Sequence, residues 1–193
     1  QLLILRLGLN KKNYQNFKDL NFKQNDFINY KIIKYYILKN NFITNMNIHD
    51  AHTFNFLFFY QKLGGKKGIE LSKKNIFLWF NKFKYYKKFP WSNYHTSKRF
   101  INLIYNYDFI CSISNKKEII QINKILNFHI QRITFEVRLK KIDSISSMEI
   151  LALVLIECCK NSLNTKIIKK IDNLINIQID VNSVHKSYNI LEH

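Results

Sequence analysis

Asn115–Lys141, NKKEIIQINKILNFHIQRITFEVRLKK, is the stretch on which the fold class turns. Asn115 followed by Glu118 has the form of a capping box, in which each side chain satisfies a backbone N–H left free at the start of a helix. Ile119, Ile122, Leu126 and their neighbours then recur at helical spacing, so a helix begins here. From Arg132 the period shortens. Ile133, Phe135, Val137 and Leu139 alternate with Arg132, Thr134, Glu136, Arg138 and Lys140, which predicts a strand with one apolar and one largely basic face. Such a strand either touches RNA with its basic face or is an ordinary edge strand guarded by lysine.

Downstream, Ser146 and Glu149 form a second capping box ahead of Ile150, Leu151, Leu153, Val154, Leu155 and Cys158. That helix is apolar almost all round and belongs in the core. A further helix starts at Thr165, with Ile167, Ile168, Ile171, Leu174 and Ile175 inward and Lys166, Lys169, Lys170 and Asn173 outward. A short one is expected around Val184–Leu191.

Upstream, the aromatic run Phe54–Tyr60 and the helical pattern Ile76, Trp79, Phe80, Phe83 are separated by a basic turn with Lys62, Gly64, Gly65, Lys66 and Lys67. Phe89-Pro90-Trp91 closes the second of these helices, because proline disfavours helix at the residue before it. The first fifty or so residues are rich in Asn, Lys and Tyr, with apolar stretches such as Ile32–Leu38. The prediction is a mostly α protein, a helical bundle with a short β-strand or hairpin inserted before the core helix. Residues 1–53 form a partly helical N-terminal extension and residues 54–193 a helical RNA-binding domain.

The 193 residues, 47% of them hydrophobic, suit one domain plus an extension with a buried core. The longest apolar run, Ile150–Cys159, is broken by Glu157 and is far shorter than the ~18 residues a bilayer span needs, so no membrane insertion is expected. Cys158 and Cys159 are adjacent and Cys111 stands alone, which fits neither a disulfide framework nor a zinc site; reduced, mostly buried thiols are expected. There are 30 Ile, 27 Lys and 25 Asn against 2 Ala, 4 Gly, 1 Pro and 4 Arg, the residue set of A- and T-rich codons. An organellar genome and an AT-rich nuclear genome both produce this bias. Gln1–Leu9 show no Arg/Ser-rich amphipathic leader, and the expectation is a protein encoded in the mitochondrion and retained in its matrix.

The net charge of +18 is unevenly placed. Residues 61–100 hold eleven basic residues against one acidic, whereas 142–193 hold five against six. Codon bias alone would spread lysine evenly, and a solvated face usually mixes signs; an unmixed block reads as the footprint of a polyanion. The candidate contacts in it are Lys62, Lys66, Lys67, Lys73, Lys74, Lys84, Lys87 and Lys88, joined by Arg132, Arg138, Lys140 and Lys141 further on.

Parts for catalysis are not visible. His49 and His52 could share a helical face, but no third ligand lies nearby, and a pair of surface or capping histidines is the expectation, with no metal. His95, His129, His185 and His193 have no nucleophile or carboxylate at a recognisable spacing. Acidic residues are scarce, which leaves paired-carboxylate and two-metal chemistry without parts. Gly64-Gly65 lacks the Lys-Ser/Thr ending of a phosphate-binding loop, and most of the aromatic side chains are assigned to packing. Neither enzymatic activity nor a cofactor is expected.

Read in order, Phe56-Leu57-Phe58, Gly65-Lys66-Lys67, Phe135–Lys141, Ile150-Leu151-Ala152-Leu153 and His185-Lys186 resemble the small-subunit ribosomal protein seven family over residues 54–193. The stretch from Lys141 to Met148 is shorter than in that family and lacks its glycines and proline. The resemblance implies a helical protein with a protruding hairpin that binds small-subunit rRNA and organises the subunit head. It also implies neighbouring ribosomal proteins as partners, with mRNA and E-site tRNA close by, and adds Lys186 to the rRNA contacts. Another organellar ribosomal protein, or a peripheral subunit of an organellar respiratory complex, would share the composition.

Overall fold

Helices alone account for the regular structure of residues 48–85, 87–141, 144–159 and 165–178, which are those described by this computed structural model. In chain order they are α1 (Ile48–Thr53), α2 (Phe56–Leu63), α3 (Gly65–Phe83), α4 (Asn93–Tyr105), α5 (Tyr107–Cys111), α6 (Lys116–Leu139), α7 (Ser147–Cys158) and α8 (Thr165–Gln178). The mostly α class predicted from the sequence is therefore found. The expected helix around Val184–Leu191 and most of the N-terminal extension lie outside the described residues.

The fold is organised around α4. Its N-terminus is capped by Ser92, whose Oγ accepts from the His95 N–H. Once started, the helix is enclosed by α1, α5, α6 and α7, so even its polar residues His95, Thr96, Ser97, Arg99 and Asn102 are buried. Burial of polar groups is tolerable only with partners. Asn102 supplies one such link, donating from Nδ2 to the Thr53 carbonyl at 2.8 Å and to Asn55 Oδ1 at 2.9 Å, which holds the α1–α2 corner against α4.

The α2–α3 pair turns on the one residue between them. Gly64 has φ 68° and ψ −173°, a conformation open essentially to glycine alone. Past the turn, Gly68 allows α3 to lie against α2: a Cβ there would stand 2.4 Å from the Tyr60 carbonyl oxygen. Asn75 Nδ2 donates to the Tyr60 hydroxyl at 2.8 Å, locking the same contact about two turns on.

The predicted strand is a correction. Residues 132–139 continue α6, and no strand occurs among the described residues. The buried set on α6, Ile122, Ile125, Leu126, His129, Ile133 and Val137, keeps the three- and four-residue spacing of a helix through the region where alternation also reads well. Phe135 is half-buried and Leu139 is 70% exposed, so the alternating apolar residues do not share a face. Local β preference of Ile133, Thr134 and Val137 yields to packing against α4 and α7, because a lone strand would leave its backbone groups unpaired.

Both capping boxes are present, at Asn115/Glu118 and Ser146/Glu149. On α7, Ala152, Leu153, Leu155 and Ile156 are buried, but Leu151 is exposed and Val154 half-buried, so the helix has an outer side. α8 packs on α7 through Ile171 and Leu174; Ile168 and Ile175 are only partly covered, at 38% and 37% exposure, so they flank the apolar stripe and do not lie within it. Lys170 Nζ donates to the Val137 carbonyl at 3.3 Å, satisfying a carbonyl near the end of α6.

Candidate nucleic-acid interface

The basic block of residues 61–100 lies on α3 and on the connection from α3 to α4. On α3, Ile69, Ser72, Ile76 and Trp79 face the core, which leaves Lys66, Lys67, Lys74, Leu78 and Lys82 outside. Lys66 approaches Glu70 at 3.9 Å, a fully solvated pair of little energetic weight. Lys73 differs from its neighbours. Its ammonium donates to Glu118 Oε2 at 2.9 Å, joining α3 to the start of α6, and it is buried. That hydrogen bond, helped by the backbone N–H of Asn115, holds the Glu118 carboxyl below the usual carboxylate range.

Beyond Phe83 the chain leaves the helix and must reach the N-cap of α4. Four contacts fix its path. Trp91 Nε1 donates to the Phe83 carbonyl at 2.6 Å, the Trp91 N–H donates to the Lys87 carbonyl, the Ser92 N–H donates to the Phe89 carbonyl, and Arg99 reaches the Pro90 carbonyl. The rings form a continuous ladder out of the core. Trp79 meets Phe83 with centroids 5.4 Å apart, Phe83 meets His52 at 4.8 Å, His52 meets Phe89 at 5.5 Å, Phe89 meets His95 at 4.7 Å, and His95 meets Tyr94 at 5.6 Å. Its outer members are open to solvent, Phe89 at 45% and Tyr94 at 50%, and Tyr85, two residues past the end of α3, is 65% exposed.

Lysines sit among these rings. Lys82 and Lys87 lie 5.5 and 5.7 Å from the Phe83 centroid, and Lys84 lies 5.3 Å from that of Tyr85. Neither these three nor Lys88 forms an ion pair with a described carboxylate. The surface therefore presents cations and aromatic faces together, the combination that engages a polyanion carrying flat bases.

Under the ladder lies Arg99, with 0% exposure. Its guanidinium lies over the rings of both Trp79 and Trp91, 3.9 and 4.8 Å from their centroids, in the corner these two indoles make by packing edge to face. Nε donates to His129 Nε2 at 2.7 Å, and Nη1 donates to the carbonyls of His52 at 2.5 Å and Pro90 at 3.1 Å; Nη2 has no hydrogen-bond partner among the described residues. Because His129 Nε2 accepts, its proton resides on Nδ1, which donates to the Ile125 carbonyl. Burial, then the Arg99 charge, pushes the His129 pKa well below its usual value, and burial lowers that of Arg99. One side chain thus ties α1, the α3–α4 connection and α6 together.

The remaining sequence candidates are dispersed. Lys62 is half-buried at the end of α2. Arg132 is buried and paired with Glu136, and Lys140 donates to both oxygens of the buried Glu149 carboxylate at 2.7 and 2.8 Å. Arg138 and Lys141 are exposed near the end of α6, and Lys186 lies outside the described residues. The outward basic face drawn on the predicted strand therefore does not exist as a unit. His52 is also no surface or capping histidine: it is buried, with Nδ1 accepting from Trp79 Nε1 at 2.9 Å. Among the described residues no group of three His, Cys, Asp or Glu could hold a metal, and no helix is long and apolar enough to cross a membrane. Of the thiols, Cys159 is buried, Cys111 half-buried and Cys158 exposed, fewer buried than expected.

Sequence reasoning missed Tyr85, Phe89 and Tyr94 as surface groups. For Tyr85 and Phe89 a signal was present: Pro90 keeps the residue before it out of a helix, so aromatic residues leading up to it lack a helix face to bury them, whereas Tyr94 lies within α4 and carried no such mark. No family model matches the chain, and no curated protein or solved structure does either.

Proposed function

We propose that this chain is an RNA-binding, non-catalytic constituent of a mitochondrial small ribosomal subunit, supporting translation by holding rRNA in the subunit head. The observation that carries the reading is the α3–α4 surface, where Lys82, Lys84, Lys87 and Lys88 stand among exposed rings without carboxylate partners among the described residues. Such lysines neutralise phosphates and set position, while shape and unpaired bases supply recognition. The resemblance to ribosomal protein seven and the AT-rich composition support the ribosomal and organellar parts of the proposal. Lys67, Lys74, Arg138 and Lys141, all exposed, extend the candidate contacts; Lys73, Arg132 and Lys140 act first as internal ties.

Gradient sedimentation of a mitochondrial lysate tests this. The protein is expected in the small-subunit fractions and released from them by high salt. Migration with a detergent-solubilised respiratory complex instead would overturn the proposal.

A further inference from the structure

Three features of the α3–α4 connection go beyond general attraction to a polyanion. Tyr85, Phe89 and Tyr94 expose about half or more of their surface within ten residues of chain, where aromatic side chains gain most by burial. Phe89 and Tyr94 both pack on the same buried ring, His95, so they form one platform with a fixed base. The backbone beneath the platform is tied to α4 and its N-cap, with the Pro90 carbonyl accepting from Arg99 and the Phe89 carbonyl from the Ser92 N–H.

We infer that this platform binds unstacked nucleotides of single-stranded or bulged RNA, with bases laid on Phe89, Tyr94 and Tyr85 and the flanking phosphates met by Lys84, Lys87 and Lys88. The inference rests on the RNA-binding reading and narrows it to a class of RNA. A duplex hides its base faces, so it would engage the lysines and leave the rings unrewarded. An anionic lipid surface would take the rings as apolar anchors, but here ammonium groups lie over the faces of Phe83 and Tyr85, and inserting those rings would draw the cations into a medium that cannot solvate them. A base followed by a phosphate meets a ring followed by a cation with no such conflict.

The test compares the full chain's affinity for an oligoadenylate of roughly ten nucleotides, a length within the range of one single-strand site, with that for the same strand paired to oligouridylate. Two variants are measured beside it: Phe89→Leu with Tyr94→Leu, and Tyr85→Leu alone. Leucine keeps apolar character and removes stacking. The single strand is expected to bind more tightly than the duplex at matched salt. The variants should lose roughly 5- to 150-fold for each stack removed, on the single strand only. Circular dichroism reports folding, and Tyr85→Leu, at the most exposed ring, keeps the test decisive if the double variant unfolds. Equal binding of strand and duplex, unchanged by leucine, would overturn the stacking site and leave the RNA reading standing. Failure to bind either RNA, with capture by phosphatidylserine vesicles, would overturn both.

Discussion

The guanidinium of Arg99 lies 3.9 Å from the centre of the Trp79 ring, and its hydrogen bonds go to two carbonyls and one neutral imidazole. A buried cation is expensive unless its charge is dispersed, and here indole faces and carbonyl dipoles replace a carboxylate. The planar fork matters. Arg99→Lys keeps the charge but cannot stack flat or reach His129, His52 and Pro90 together, so it should cost on the order of 2 to 4 kcal/mol. A urea midpoint unchanged from the parent would show that the cage is not what holds α1, α6 and the connection.

His129 makes the same centre sensitive to acid. Its folded pKa is depressed by burial and by Arg99, whereas in the unfolded chain it takes up a proton near pH 6.5. Below that pH the unfolded state binds more protons, so stability declines as pH falls, by up to about 1.4 kcal/mol per unit for this one group. His129→Gln retains an acceptor for Arg99 and cannot titrate. Its denaturation midpoint should vary less than the parent's between about pH 7 and pH 5; equal slopes would mean that other groups dominate.

Much of the fold was legible because capping and burial leave local marks. Asn115/Glu118 and Ser146/Glu149 announce their helices in four residues each, whereas the closure read at Phe89-Pro90-Trp91 comes too late, since α3 already ends at Phe83. The region 132–139 was ambiguous because the apolar residues Ile133, Phe135, Val137 and Leu139 alternate there while Ile133 and Val137 also fit the helix stripe. The i, i+4 pair Arg132/Glu136 was the overlooked helical sign. Arg99 was invisible for another reason: its partners come from residues 30 to 47 positions away as well as from Pro90, and no local pattern encodes them. Yet arginine is rare in this lysine-rich chain, and both Arg99 and Arg132 are buried. Where planar geometry is required, lysine does not substitute.

The same distinction separates Arg138 from Lys140, which sequence alternation placed side by side on one basic face. Arg138 is exposed, and Arg138→Glu should leave stability within about half a kcal/mol of the parent. Lys140 neutralises the buried Glu149, whose carboxylate also accepts from the Ser146 N–H and hydroxyl at the start of α7. Lys140→Glu would set a second carboxylate against it, at a cost of roughly 3 to 5 kcal/mol. Thermal denaturation of the two single variants should differ clearly; similar melting temperatures would mean that the Lys140–Glu149 tie contributes nothing.

Salt dependence separates phosphate contact from structural use of lysine. Lys84, Lys87 and Lys88 lie on the exposed connection and make no ion pair with a described carboxylate, so replacing them with glutamine removes charge without breaking a strut. Each lysine that neutralises a phosphate of a single strand steepens the log-affinity against log-salt line by about 0.7, so the triple variant should lose about 2 from the slope. Its helix content should match the parent's by circular dichroism. Lys73→Gln gives the opposite pattern: it breaks the bond to Glu118, lowers stability, and leaves the slope where it was, since that ammonium is already neutralised within the protein. Measuring RNA affinity at several salt concentrations for the parent and both variants decides the matter. A slope unmoved by the triple substitution would place the RNA contact elsewhere on the molecule, and a slope lowered by Lys73→Gln would mean that this buried lysine reaches RNA after all.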